Sequence, residues 1–516
     1  MSRVSTFLSR CLLVSFVASG AAAAPPYQPY MVKDINPGAA SGFPLYETAT
    51  STLFFFTADD GVHGRELWAS DGTSAGTYMV RDIVPGPGSP EADALTAVGD
   101  RLFFQADDGV HGRELWVSDG TYGGTYMVKD ILPGLASSYP ADLNSRSGKM
   151  SDWGGLAAFA ADDTGFNREL WVSDGTLAGT TKVTEISPSG QSFPEHLTDL
   201  NGLLLFRATD ATGDSELWRS DGTAAGTFRV IEINPSGNAF PTLLAVVGSA
   251  VFFSAKDAQF NSELWQTDGT AAGTSKVKEI HPTTGSEPSQ LLNVNGTLFF
   301  VAYDADDDLE LWRSDGTEMG TVRVKDINLT GSSNPELYST GTLMGLYFFT
   351  ADDGVHGREP WVTDGTEAGT RLLKDIHPSG DSSASGFRNI AGLIYFKADD
   401  GAHGRELWIT NGTEQGTYMA LDLIPGPQGS SLGFSWRVNK VWIGAGDDGV
   451  HGRELWAIDT RQAPIPAVSE WSLTGLALLL LCAATLVLRN RSTRMRPVVH
   501  AATSSVTTRL VKENRS

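Results

Sequence analysis

The chain has 516 residues, 41 % of them hydrophobic and 19 % charged, and a formal charge of −23. Residues 1–24 carry +2 and residues 464–516 carry +5, so the stretch between them holds −30, a surface that repels phosphates and excludes nucleic acid as the main ligand. Both cysteines, Cys11 and Cys482, lie outside that stretch, which must be stable by packing without a disulfide.

The N-terminus places Arg3 and Arg10 before an apolar run, Cys11 to Ala18, and a small-residue stretch, Gly20 to Ala24. That order reads as a secretory signal peptide over residues 1–24, too short in its apolar part for a membrane anchor.

From residue 25 to 463 one phrase recurs nine times. It is Glu-(Leu/Pro)-Trp, usually followed by x-(Ser/Thr)-Asp-Gly-Thr-x-x-Gly-Thr, with tryptophans at 68, 116, 171, 218, 265, 312, 361, 408 and 456. A period near 47 built of strand-like words is a repeat architecture. In the second unit the spacing predicts strands over 94–98, 101–106, 114–118 and 125–131, separated by Asp-Gly and Pro-Gly turns. Runs such as Leu53-Phe54-Phe55-Phe56 are apolar at consecutive positions, which requires cover on both faces of the sheet. Radially packed four-stranded blades supply that cover.

The phase of the repeat favours a closed ring over an open solenoid, which would more naturally show capping repeats. The chain enters with Tyr30 to Ile35, a fourth strand without the first three, and leaves with Glu454 to Asp459, a third strand without a fourth. The predicted fold is all-β: a closed β-propeller of about nine four-stranded blades, its N-terminal strand completing the last blade, expected to be a monomer. The words themselves, Glu-Leu-Trp-x-x-Asp-Gly-Thr, resemble the bacterial ELWxxDGT repeat family over residues 29–459. The resemblance implies an exported propeller-like protein and carries no agreed activity.

After the repeats, an apolar run from Ser472 to Leu488 is followed by Arg489, Arg491, Arg494 and Arg496. Seventeen residues span ~25 Å as a helix, at the short end of a membrane crossing, and the arginines would stay on the cytoplasmic side. The words before it, Ile465-Pro466-Ala467-Val468-Ser469-Glu470-Trp471, are similar to the IPTL-type C-terminal sorting signal of Gram-negative bacteria, matching at Ile465, Pro466, Ser469, Glu470 and Trp471. The resemblance implies an exosortase-like processing protease and display at the cell surface; the alternative is a plain single-pass anchor. Residues 464–496 are thus sorting motif, membrane helix and basic cluster, and residues 497–516 a disordered tail.

The Asp-Gly-Thr turns and the nine glutamates are the same in almost every unit and are expected to build blades, the glutamates by accepting hydrogen bonds inside them. The Asp-Asp-Gly-x-His-Gly-Arg-Glu hairpin is selective. It supplies His63 and Arg65, His111 and Arg113, His356 and Arg358, His403 and Arg405, and His451 and Arg453, in five units that are neighbours on a closed ring. The candidate site is that arc, for an anionic or metal-bridged ligand; duplication of a good turn is the competing reading. In the sixth unit Asp304, Asp306 and Asp308 alternate as ligands of a hard cation such as Ca²⁺ would, although no cofactor is required. Gly429-Ser430-Ser431-Leu432-Gly433 has the spacing of a nucleophile elbow but no helix to follow it.

The functional expectation is a surface-displayed module that binds or adheres to glycan, matrix or a surface protein. The alternative is an exported polysaccharide lyase or hydrolase with its site at the channel. Distinct acids and bases facing the channel from different blades would favour the enzyme, identical ones the scaffold.

Overall fold

A computed structural model describes residues 26–142 and 150–462. The proposed signal peptide, sorting motif, membrane helix and tail lie outside the described residues.

The described chain forms nine antiparallel four-stranded sheets. Blade 1 shows the pattern: inner strand Leu45–Ala49, second strand Phe54–Asp59, third strand Arg65–Ser70 and outer strand Thr77–Arg81. Each inner strand touches the inner strands of the two adjacent blades, and that of blade 9, Gly433–Val438, touches that of blade 1. The ring is closed. Blade 9 takes its outer strand from the chain's beginning: Tyr30 pairs with Ala457 and Met31 with Trp456.

Consecutive apolar residues arise because every blade has two apolar neighbours. Phe54 and Phe56 pack with Val441, Ile443 and Leu455 of blade 9, whereas Phe55 packs with Leu102 and Phe104 of blade 2. The strands of blade 2 run Asp93–Val98, Arg101–Asp107, Arg113–Ser118 and Tyr126–Lys129. The outer one is shorter than the sequence predicts, for a specific reason. The Ile131 N–H leaves the ladder and donates to Glu114 Oε2 at 2.8 Å.

That bond is the role of the repeated glutamate. All nine are fully buried, and each accepts backbone N–H groups from the connection to the next blade. Burial raises their pKa, and a serine hydroxyl from the same connection opposes the rise. Glu114, bonded to the Ser138 hydroxyl, is pushed up to about 7. Glu66 and Glu216 have Pro90 and Ala239 where that serine would stand, and reach about 8. The Asp-Gly-Thr turn is equally repetitive: Asp71 Oδ1 accepts the Thr73 N–H and hydroxyl, and Thr73 Oγ1 accepts the Gly76 N–H. Asn411 makes the same bonds in blade 8.

Candidate functional site at the hairpin face and channel mouth

In a four-stranded meander the hairpin between second and third strands and the connection between blades emerge on one face. The two remaining turns emerge on the other. The variable loops therefore share a face, and the Asp-Gly-Thr turns lie opposite. Every connection enters its inner strand through a left-handed residue with φ between 45° and 50°, at positions 43, 91, 139, 193, 240, 287, 334, 383 and 431. None is glycine, so the strained backbone is held by the ring around it.

The five histidine hairpins are built alike. In the first, Asp60 Oδ1 accepts the N–H groups of Val62 and His63, and Asp60 Oδ2 meets His63 Nδ1 at 2.8 Å. The same pair recurs at His111, His356, His403 and His451. The aspartate hydrogen bond holds each imidazole above its ordinary pKa. One ring nitrogen of each histidine is thereby committed within its own loop.

The arginines of the same hairpins reach toward the inner strands instead. Arg65 donates to the Phe43 carbonyl at 2.6 Å and Arg358 to the Asn334 carbonyl at 2.7 Å. Arg113 pairs with Glu91 and Asp93, and Arg405 donates to the Ser383 carbonyl and the Ser385 hydroxyl. Blade 3, outside the predicted arc, joins this set: buried Arg168 donates to the carbonyls of Tyr139 and Ala141. The arc thus separates into histidines paired in their loops and arginines gathered at the channel mouth.

Two cavities line that channel. One of about 710 Å³ is walled by Asp142, His196, Gln290, Tyr338 and Arg388 among leucines of blades 4 to 7. The other, about 320 Å³, lies at blades 9, 1 and 2 between Tyr46, Glu47, Trp436 and Arg453. Asp142 accepts the backbone N–H groups of His196 and Leu197, and burial lowers the pKa of the His196 ring. The channel wall differs from blade to blade.

Exposed aromatics gather on blades 3 to 5, which lack the histidine hairpin, and blade 1 also has one, Phe43, beside its histidine hairpin. Tyr139, Phe193 and Phe240 occupy the left-handed positions of blades 3, 4 and 5, and Phe166 and Phe260 tip the hairpins of blades 3 and 5. All five are exposed, Phe166 at 82 %. Sequence reasoning missed them, although a phenylalanine in place of valine or histidine at a loop tip was readable.

The carboxylates of blade 6 do not converge as a cation site requires. Asp304 is buried, its Oδ1 accepting the N–H groups of Asp306 and Asp308 while Oδ2 meets Arg323; Asp306 is exposed and Asp308 half-buried. The alternation is a turn. Among the described residues the carboxylates that do converge are Asp214, Glu216 and Glu232, whose oxygens lie within 4.8 Å of one another. Arg229 already sits against Asp214 at 2.8 Å and Glu232 at 2.9 Å. Ser431 follows no elbow either: its N–H bonds the Arg405 carbonyl, and strand Gly433–Val438 follows.

No family model and no curated protein matches the chain. Solved structures similar to the chain include a puromycin hydrolase, 13 % identical with TM-score 0.35 over 64 % of this chain and 53 % of that one. Another comes from an analysis of two prolyl endopeptidases, 15 % identical with TM-score 0.36 over 69 % of this chain and 50 % of that one. The chain spans about half the length of these two proteins.

Proposed function

We propose that the chain is an exported, surface-displayed binding module whose hairpin face takes a glycan, a matrix component or a surface protein. The observation that carries this reading is the exposed aromatic arc of blades 3 to 5. The five rings are 43 to 82 % exposed and none belongs to a core cluster, and aromatic faces are what recognition surfaces use against the C–H faces of sugars and against side chains. Arg207 stands 6.0 Å over the Phe240 ring and stiffens one edge of the arc. Display rests on the two ends: signal peptide, IPTL-like motif with an exosortase-like protease, and the apolar run before four arginines. The test is a glycan and surface-protein binding screen, repeated with Phe166→Ser and Phe260→Ser. Loss of the hits in the variants is expected; hits retained at full strength would move the binding face elsewhere.

The enzymatic reading, a polysaccharide lyase or hydrolase at the channel, is favoured by one observation. Asp142, His196, Tyr338 and Arg388 reach the channel from different blades rather than as a ninefold ring. Appearance of new reducing ends or unsaturated sugars on incubation with polysaccharides would establish it.

A further inference from the structure

The second strands of the nine blades carry, at one equivalent place beside the channel mouth, Thr57, Gln105, Ala160, Arg207, Ser254, Val301, Thr350, Lys397 and Ala445. Where that residue is strongly polar, blades 2 and 4 match it: Gln105 bonds Asp93 and Arg207 bonds Glu195. Blade 8 does not. Lys397 stands opposite Ser385, and its ammonium has no carboxylate within ion-pair distance among the described residues. Burial, then Arg405 and Arg453, push its pKa down to about 8.

Arg453 is the second unmatched cation. Its counterparts Arg65, Arg113, Arg358 and Arg405 all find carbonyls, hydroxyls or carboxylates, whereas the Arg453 guanidinium reaches no hydrogen-bond or ion-pair partner among the described residues. The reason lies in the neighbouring chain. Blades 2, 4, 6 and 7 bring Glu91, Glu195, Glu287 and Glu336 to the mouth, but blades 8 and 9 bring Ser383, Ser385, Ser431 and Gly433. Around the Lys397 ammonium the charged groups are Arg405, Arg453 and Arg388 against one carboxylate, Glu47. In a domain holding −30, where a carboxylate would be the cheapest residue to place beside them, the Lys397 and Arg453 side chains stand without an ion-pair partner among the described residues.

The 320 Å³ cavity has room for one sugar ring; Arg453, Tyr46, Trp436 and Glu47 line it, and Lys397 stands beyond that lining on the second strand of blade 8. We infer that this corner of the channel mouth, with Arg453 and Lys397 as its cations, binds the carboxylate of an acidic sugar. The inference rests on the glycan-binding reading and narrows it to a uronate-type residue. A guanidinium takes a carboxylate on two parallel N–H groups, and the aromatic rings hold the ring that bears it.

The experiment titrates the full chain with an oligosaccharide ending in glucuronic acid and with the same oligosaccharide ending in glucose. The acidic one is expected to bind at least about tenfold more tightly, the scale of one charge-assisted hydrogen bond. Arg453→Gln and Lys397→Met should each erase the preference. Both should melt no lower than the parent, since each removes an unpaired cation. Equal binding of the two sugars, or a preference that survives both variants, overturns the inference and leaves the glycan reading standing. Binding of neither sugar refutes the glycan reading itself. An acidic peptide that binds in an Arg453-dependent way while both sugars fail overturns the assignment of the ligand.

Discussion

Glu454 Oε2 accepts the N–H of Ile35 at 2.9 Å across 419 positions of sequence, and its Oε1 accepts that of Gly42 at 2.6 Å. In the other eight blades the same glutamate reaches a connection 17 residues further along, as Glu66 reaches Ile83. The ring is thus closed by its own repeated contact, with the beginning of the chain in the place of the next connection.

Removing that contact should open the ring. Glu454→Leu leaves two buried N–H groups without acceptors and is expected to cost on the order of 3 kcal/mol in denaturant unfolding. Deleting residues 26–40 removes the strand and the contact together and should cost more. A truncated protein that unfolds at the parent's midpoint would show that closure contributes nothing.

The buried glutamates set a pH dependence. Their folded pKa is raised, to about 8 for Glu66 and about 7 for Glu310 and Glu359, from an ordinary value of 4.5. Such acids hold more protons folded than unfolded between those values, so their contribution is complete below 4.5 and is lost as pH rises through 7 to 8. The hairpin histidines, raised by their aspartates, act in the same direction above their unfolded value of 6.5. The turn aspartates, lowered by their threonine hydroxyls, lose stability only as pH falls through and below 3.8. Thermal stability should therefore peak in mildly acidic buffer and decline toward pH 9. Ala239→Ser, which offers Glu216 the missing hydroxyl, should raise the melting temperature more at pH 8 than at pH 5. A flat profile would mean that the glutamates are ionised throughout.

The turns opposite the hairpin face tolerate one exchange and not another. Asp364→Asn should be nearly neutral, because Asn411 already makes these bonds in blade 8. Gly369→Ala should cost on the order of 2 kcal/mol, because a Cβ there would overlap the Asp364 carboxylate. Calorimetric melting of the two variants separates them.

Calcium should not shift the melting of the parent, because Arg229 already pairs with Asp214 and Glu232 of the Asp214, Glu216 and Glu232 cluster. Arg229→Met removes that charge. The variant is expected to melt lower and to recover on adding Ca²⁺, with chelator reversing the gain. Recovery by Na⁺ at equal ionic strength would indicate simple screening.

The ring was legible in the sequence because its cause is local and periodic. Glu-Leu-Trp fixes a third strand, Phe-Phe a second strand with two apolar neighbours, and the orphan words at Tyr30 and Trp456 fix the closure. The channel mouth was not legible in the same way. Its side chains are aimed by a bulge in the inner strand, where Tyr46, His196, Leu243 and Gln290 adopt positive φ without any glycine to announce it. Lys397 stood in view as a charge inside an apolar strand, but its lack of a partner depends on Ser385 of its own sheet and Gly433 of the next blade, which only the folded ring brings beside it. Alternating aspartates at 304, 306 and 308 looked like ligands because a turn and a cation loop want the same residue at the same place.

A ribosome makes Tyr30 first and its partner Ala457 more than four hundred residues later. Throughout that interval the opening strand has nothing to pair with, and blade 1 shows a bare apolar flank where Val441 and Ile443 will stand. The ninth sheet therefore has all four strands only once Arg453–Asp459 has been made.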